Sequence, residues 1–168
     1  MKVAGIGWMS GDSCGSLRRE WQMKLDDPKI LYQQLEAEGF FTVPLAKVRW
    51  LNTVSQRYCM AAALALRDAF ETSAAMRLNP QTTGVLSLSR DGALHPNLEY
   101  FKDYIHSGRK LARGNLFVHT LPTSPLAETA ITFGLKGPVF HLSSAAPQLN
   151  LLFDRGEALG KNQAWLNL

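Results

Sequence analysis

The stretch Gly134-Leu135-Lys136-Gly137-Pro138-Val139-Phe140-His141-Leu142-Ser143-Ser144-Ala145-Ala146 is the part of the chain from which the rest can be read. Gly137-Pro138 interrupts regular structure, because proline lacks a backbone donor and glycine tolerates angles that other residues avoid. Val139 to Ser143 is then short and mostly apolar, which predicts a strand. Small residues lead on to Ala146, and the segment from Gln148 to about Leu159 predicts a helix. On the other side, Leu126 to Phe133 predicts a helix that Gly134 ends. Leu121-Pro122 and Ser124-Pro125 bracket the loop before it.

Further out, helices and strands continue to alternate. Thr83 to Ser89 predicts a strand rich in small residues, and His95-Pro96-Asn97 opens a helix through about Tyr104 that Gly108 ends. From Gln56 to Phe70, Tyr58, Ala61, Ala62, Ala65, Leu66 and Ala69 recur at three and four. This predicts a helix with an alanine-rich face suited to close packing on a sheet, capped at Asn52 or Ser55. Lys2 to Met9 reads as a first strand entering a turn at Ser10-Gly11-Asp12. Gly15 to Lys24 reads as a loop or helical turn, Pro28 to Glu38 as a helix stopped by Gly39, and Gln163 to Leu168 as a last strand. Alternating strands and helices imply an α/β layered fold, and no composition shift divides residues 1–168 into more than one domain.

Composition narrows the function classes. A 168-residue chain that is 46% hydrophobic can bury a core without covalent staples. Cys14 and Cys59 lie far apart and form no C-x-x-C pair, which argues against a disulfide framework or zinc and for a reducing, cytoplasmic setting. The net charge of +4 is modest, and the clusters Arg18-Arg19 and Arg109-Lys110…Arg113 lack interleaved aromatics, which argues against nucleic acid. Nothing approaches the roughly 20 apolar residues of a membrane span. The start, Met1 to Gly7, is too short and glycine-rich for a signal-peptide core. Gly5-x-Gly7 lacks the third glycine and the acid of a dinucleotide fingerprint, and reads as a tight strand exit. His95, His106, His119 and His141 show no metal-ligand spacing, so no cofactor or metal is expected. Cys14, in a Ser/Gly-rich loop, and Ser143 and Ser144, between strand and helix, are the candidate nucleophiles of a small acyl-transfer or hydrolytic enzyme. The serines lack the G-x-S-x-G elbow.

The stretch from Gly134 to Ala146 resembles the segment that leads to the active-site cysteine of β-ketoacyl synthases, where a G-x-K-G-P turn feeds a strand ending in S/T-A-C. Read in register, Ala146 stands at the cysteine position, and Pro147-Gln148 replaces the small residues that follow it. The likeness continues outward. Val3-Ala4-Gly5-Ile6-Gly7…Ser10 is similar to the family's opening strand, and Tyr58 to Phe70 to its alanine-rich helix, including Ala65-Leu66-x-Asp68-Ala69. Thr83-Gly84-Val85 is similar to the following strand. Leu121-Pro122 resembles the loop before the T-L-P-x-x-A-A helix, with Ser124 and Pro125 in place of Asn and Met. Phe153-Asp154-Arg155-Gly156-Glu157-Ala158 is similar to the helix end. The resemblance implies a thiolase-like α/β fold, N-terminal half only, with a mixed sheet flanked by helices and strands near 2–9, 83–89, 139–143 and 163–168.

The departures from that pattern decide the expected function. Claisen condensation in this family holds the acyl chain as a thioester, and an alanine methyl cannot be acylated. The family's two catalytic histidines belong to the half that the resemblance does not cover. Cysteine-less members of the family are known as chain-length factors. The resemblance therefore implies a non-catalytic, chain-length-factor-like subunit in fatty-acid or polyketide-type biosynthesis, polyene lipids included. It implies pairing as a homodimer or as a heterodimer with a catalytic β-ketoacyl synthase. Acyl carrier protein is a further expected partner, with Arg109, Lys110 and Arg113 as the docking candidates. In the family the strand before the cysteine pairs antiparallel with its counterpart in a second subunit. Here that strand and the following helix offer Val139, Phe140, His141, Leu142, Ser143, Leu149, Leu152 and Phe153, with no lysine or proline in the strand to protect its edge.

Overall fold

The structure, a computed structural model, describes residues 3–10, 13–18, 20–22, 33, 36–37, 51–72, 78–110, 113–146 and 148–161. It is mixed α/β and falls into two compact units, Met1–Gly84 with Glu128–Gly137, and Val85–Ala127 with Pro138–Leu168. Most of the expected helix from Pro28 to Glu38, and all of the expected strand from Gln163 to Leu168, lie outside the described residues.

In the first unit, β1 (Gly7–Met9), β2 (Ser13–Ser16) and β3 (Glu20–Gln22) form an antiparallel sheet in the order β1-β2-β3. Between β1 and β2 the Ser10 N–H donates to the Ser13 carbonyl at 2.8 Å, while Gly11 and Asp12 of the expected turn lie outside the described residues. Met9 pairs with Cys14, and Cys14 in turn with Trp21. Of the segment Gly15 to Lys24, read as a loop or helical turn, Gly15 and Ser16 belong to β2 and Glu20–Gln22 form β3, while Leu17 and Arg18 bend after β2. Ser13-Cys14-Gly15-Ser16 has no apolar alternation to announce it and is held by neighbours on both sides. β1 bonds to β2, so the described strands form two separate sheets and not the single mixed sheet expected.

Helix α1 (Thr53–Thr72) packs on this sheet with its alanine face. Asn52 is the cap: its Oδ1 accepts the Ser55 N–H at 2.7 Å, and its carbonyl accepts the first helical bond from Gln56. The approach is close enough to explain Gly5 and Gly7. A Cβ on Gly5 would lie 2.3 Å from the Ala65 carbonyl oxygen, and one on Gly7 would lie 2.3 Å from that of Ala61. These glycines admit a helix backbone, a different reason from the strand exit read in the sequence. Asp68, buried on α1, accepts the Ile6 N–H on Oδ2 at 3.0 Å, which satisfies a donor that precedes the sheet ladder. Met60, Ala63 and Leu64 join Cys14 and Phe133 in the core.

Helix α4 (Ser124–Thr132) ends at Gly134 in a Schellman motif. The Gly134 N–H donates to Ile131 and the Leu135 N–H to Ala130, with Gly134 at φ +64°. Leu135 folds back on the core. A Cβ at Gly134 would meet nothing within 4 Å, so Gly134→Ala isolates the backbone cost alone. It should lower stability by about 1–2 kcal/mol, read as a shift in the urea midpoint with the slope unchanged. Gly137 is demanded for the other reason, since its Cβ would sit 2.5 Å from the Thr83 carbonyl carbon and oxygen. Its N–H donates to that carbonyl at 3.1 Å.

In the second unit, β4 (Val85–Ser89) and β5 (Val139–Ser143) pair in parallel, from Val85 with Val139 to Ser89 with Ser143. Helices α2 (Leu94–His106), α3 (Gly114–Val118) and α5 (Leu149–Lys161) complete it. Gly156 of α5 lies over Leu86, with 3.8 Å from its would-be Cβ to Leu86 Cδ2, which places α5 on the Leu86 side of the pair. The residues expected in strand 139–143 and in helix 148–159 occupy those elements, β5 and α5, to within two residues.

Candidate functional site

The period-two alternation of β4 and β5 sorts the second unit's side chains into two faces. Leu86, Leu88, Phe140 and Leu142 share the face toward α5. Ser87, Ser89, His141 and Ser143 share the other, brought side by side by the parallel register. His141 Nδ1 lies 2.8 Å from Ser87 Oγ, and its Nε2 lies 3.2 Å from Ser143 Oγ. With Ser143 donating to Nε2, the Nδ1 proton is directed at Ser87. Ser143 is solvent-exposed and Ser87 buried. This is a hydroxyl–imidazole–hydroxyl chain. Its orienting group is neutral, so an imidazolium formed by taking the Ser143 proton would have no counter-charge here.

Past β5 the ladder runs one bond further, from the Ser144 N–H to the Ser89 carbonyl at 3.1 Å. Ser144 Oγ donates to the Ala146 carbonyl at 3.2 Å, and α5 begins at Leu149. The strand-to-helix turn borders an open depression of about 370 Å³ lined by Ser144, Ala146, Gln148, Asn150, Leu151 and Asp154. Ala146 thus stands where the strand-to-helix order places it, facing solvent at the depression. Around it are a hydroxyl, two neutral amides, one carboxylate and an aliphatic side chain, and among the described residues of the lining there is no thiol, imidazole or cation. The described lining can hydrogen-bond a neutral polar ligand, but among the described residues it offers no nucleophile activated by a neighbouring base.

The two thiols belong to the first unit. Cys14 is buried in β2, and Cys59 is buried on α1 between Thr129 Oγ1 and Thr132 Oγ1, each 3.6 Å from its sulfur. Burial pushes both thiols up from their ordinary range. At Cys59 the two threonine hydrogen bonds oppose that shift and the Glu128 charge adds to it. Cys14 is therefore a packed core residue and not the exposed loop thiol its neighbours suggested. The remaining histidines are spread along the second unit. His106 Nδ1 lies 2.7 Å from the Lys102 carbonyl oxygen, and His119 Nδ1 is buried without a hydrogen-bond partner. Among the described residues no cluster of three or more His, Cys, Asp or Glu is placed to hold a metal, and no helix is long and apolar enough to cross a membrane.

Of the expected interface residues, Phe140, Ser143, Leu149 and Phe153 are exposed, while Val139, His141, Leu142 and Leu152 are half-buried. β5 pairs with β4 only, so among the described strands its other edge is unpaired. Of the docking candidates, Arg113 is engaged: its Nη2 lies 2.8 Å from Asp103 Oδ1, and that pairing holds the Asp103 carboxyl below its usual range. Leu151 and Asp154 lie three residues apart on one face of α5, and Gln148 stands three residues before Leu151, just ahead of the helix start. That signal is present in the sequence once the helix start is known. The Ser87–His141 pair carries no such signal, because its partners are 54 residues apart.

No protein family, curated protein or solved structure matches this chain.

Proposed function

We propose that this chain is a non-catalytic, chain-length-factor-like β-ketoacyl synthase subunit with a thiolase-like N-terminal half, acting in fatty-acid or polyketide-type biosynthesis beside a catalytic synthase. The single observation that carries the reading is Ala146. The G-L-K-G-P turn, the strand and the helix follow in the order that resembles the family's nucleophile segment, and the residue in the nucleophile's place is an alanine bordering an open depression. A methyl group cannot form the thioester on which condensation depends. Neither cysteine supplies a substitute, since both are sealed in the other unit's core. Incubation with acyl and malonyl carrier proteins should give no condensation product from the purified chain alone. Turnover by that chain would refute the reading.

Pairing through β5 and the start of α5 goes with it. Phe140, Leu149 and Phe153 are large apolar side chains left exposed beside a strand edge that no described strand pairs. Burying an exposed half of a phenylalanine is worth roughly 1 kcal/mol, and burying a carboxylate in its place costs more. Phe140→Asp should therefore weaken association across residues 139–153 at least tenfold, measured by sedimentation equilibrium. An unchanged association constant would remove this interface.

A second reading, a small acyl-transfer or hydrolytic enzyme, is favoured by one observation, the 3.2 Å approach of His141 Nε2 to Ser143 Oγ. A nucleophile and base at this spacing are the minimum for acyl transfer. A stoichiometric acyl adduct on Ser143 that disappears in His141→Ala would favour the enzyme over the partner subunit.

A further inference from the structure

The polar face of β4 and β5 carries a hydrogen-bond chain whose direction decides what it can do. Among the described residues, Ser87 Oγ has one partner, His141 Nδ1 at 2.8 Å, and Ser143 Oγ has one, His141 Nε2 at 3.2 Å. A neutral imidazole carries one proton, so one ring nitrogen donates and the other accepts. Two arrangements satisfy the ring. In one, Ser143 donates to Nε2 and the Nδ1 proton goes to Ser87. In the other, Ser87 donates to Nδ1 and the Nε2 proton goes to Ser143. The two ends are not equivalent, because Ser87 is 7% exposed whereas Ser143 faces solvent. Gly92 lies beside Nε2, 3.8 Å from its would-be Cβ, but its N–H is committed to Ser89 Oγ at 2.9 Å and does not compete for that nitrogen.

We propose that Ser87 is a positioning residue that fixes His141 with its proton on Nε2, so that the chain runs from Ser87 through the imidazole to Ser143 and ends in an outward hydroxyl donor. The buried hydroxyl is the reason. If Ser87 accepted from Nδ1, its own proton would be left in the interior with no acceptor among the described residues. An unmade interior hydrogen bond shifts such an equilibrium by roughly tenfold or more. At the Ser143 end either direction is satisfied, because water can take up whatever the ring leaves unmade. The consequence falls on Ser143. A base would have to receive the serine proton on Nε2, and in this tautomer that nitrogen already carries one. Ser143 is thereby presented as a hydrogen-bond donor and not as an activated nucleophile. The inference accounts for the 3.2 Å contact without acyl transfer. It rests on the geometry of β4 and β5 and does not depend on the chain being a synthase-like subunit.

The test reads the ring protons directly. Long-range proton–nitrogen correlation spectra of the full chain, uniformly labelled with nitrogen-15 and held at about pH 9, above the ordinary imidazole range, distinguish a protonated ring nitrogen from a bare one. The His141 signals are those lost in His141→Gln. Wild type should show Nε2 protonated and Nδ1 bare, in roughly tenfold excess or more over the other tautomer. Ser143→Ala should keep that tautomer, since the solvent end does not set it. Ser87→Ala should lower the excess by about threefold or more, and Ser87→Thr, which keeps the hydroxyl, should restore it. A role for Ser87 in packing alone would lower the urea midpoint of Ser87→Ala and leave the tautomer ratio unmoved. Should Ser87→Ala not fold, the wild-type and Ser143→Ala spectra still decide. A wild-type ring with its proton on Nδ1, a tautomer that switches in Ser143→Ala, or a wild-type ratio in folded Ser87→Ala would overturn the proposal. The spectra are taken without any acyl donor, so their outcome is separate from whether the chain condenses, becomes acylated or does neither.

Discussion

Gly7→Ala should destabilise the first unit by about 3 kcal/mol or more, a large part of the roughly 5–15 kcal/mol that holds a domain together. The added methyl would lie 2.3 Å from the Ala61 carbonyl oxygen, 2.4 Å from the Ala65 amide nitrogen and 2.8 Å from the Leu64 Cβ. Two of these are helix backbone atoms, so no side-chain rotation relieves the overlap, and α1 as a whole must move off the sheet. Overpacking of this kind costs about 1–3 kcal/mol where side chains can adjust, and more where they cannot. Displacing α1 also loosens Met60, Ala63 and Leu64, which form the core with Cys14 and Phe133. The measurement is urea unfolding followed by circular dichroism. Gly114→Ala is the control, because a Cβ there meets nothing within 4 Å and φ is ordinary, so its midpoint should hold or rise slightly. A Gly7→Ala midpoint equal to wild type would mean that α1 does not approach the strand at backbone distance.

Ala146→Cys should turn a chain inert to iodoacetamide into one alkylated at a single position. In the native protein Cys14 and Cys59 are buried, and burial pushes both thiols up, so the thiolate that reacts is scarce and inaccessible. Position 146 is exposed beside an open depression, and its backbone carbonyl already accepts from Ser144, so a thiol there needs no rearrangement of the turn. At pH 8 intact mass should show no adduct on wild type and one on Ala146→Cys within an hour, with peptide mapping at residue 146. Equal labelling of wild type would mean that one of the two core cysteines is open to solvent. No labelling of the variant would mean that residue 146 is not at the surface.

Much of the chain from Val85 onward was legible because its signals are local. Gly137-Pro138 fixed where β5 starts, the run of small residues fixed where it stops, and Gly134 and Gly108 ended helices in the left-handed conformation they favour. The alanine stripe from Ala61 to Ala69 foretold a helix pressed close on a sheet, though not that Gly5 and Gly7 were the other half of that contact. β2 was missed because Ser13-Cys14-Gly15-Ser16 shows no alternation and takes its strand geometry from the strands that pair with it, whereas β3 was missed although Glu20-Trp21-Gln22 alternates polar and apolar, its three residues being few beside the polar run that reads as a loop. What hid β2 also hid Cys14, which looks like an exposed loop thiol until β2 has neighbours on both sides. At the candidate site Ala146 could be placed by counting along the motif. The Ser87–His141–Ser143 chain could not, because it exists only through the register of two strands far apart in sequence.

The most direct measurement is the intact mass of the wild-type chain after incubation with an acyl thioester of a carrier protein. A non-catalytic synthase-like subunit should keep its unmodified mass, while Ala146→Cys, treated in parallel, should gain one acyl group by thiol exchange. A stoichiometric acyl adduct on wild-type Ser143, Ser144 or Cys14 would contradict the account and make the chain an acyl-transfer enzyme.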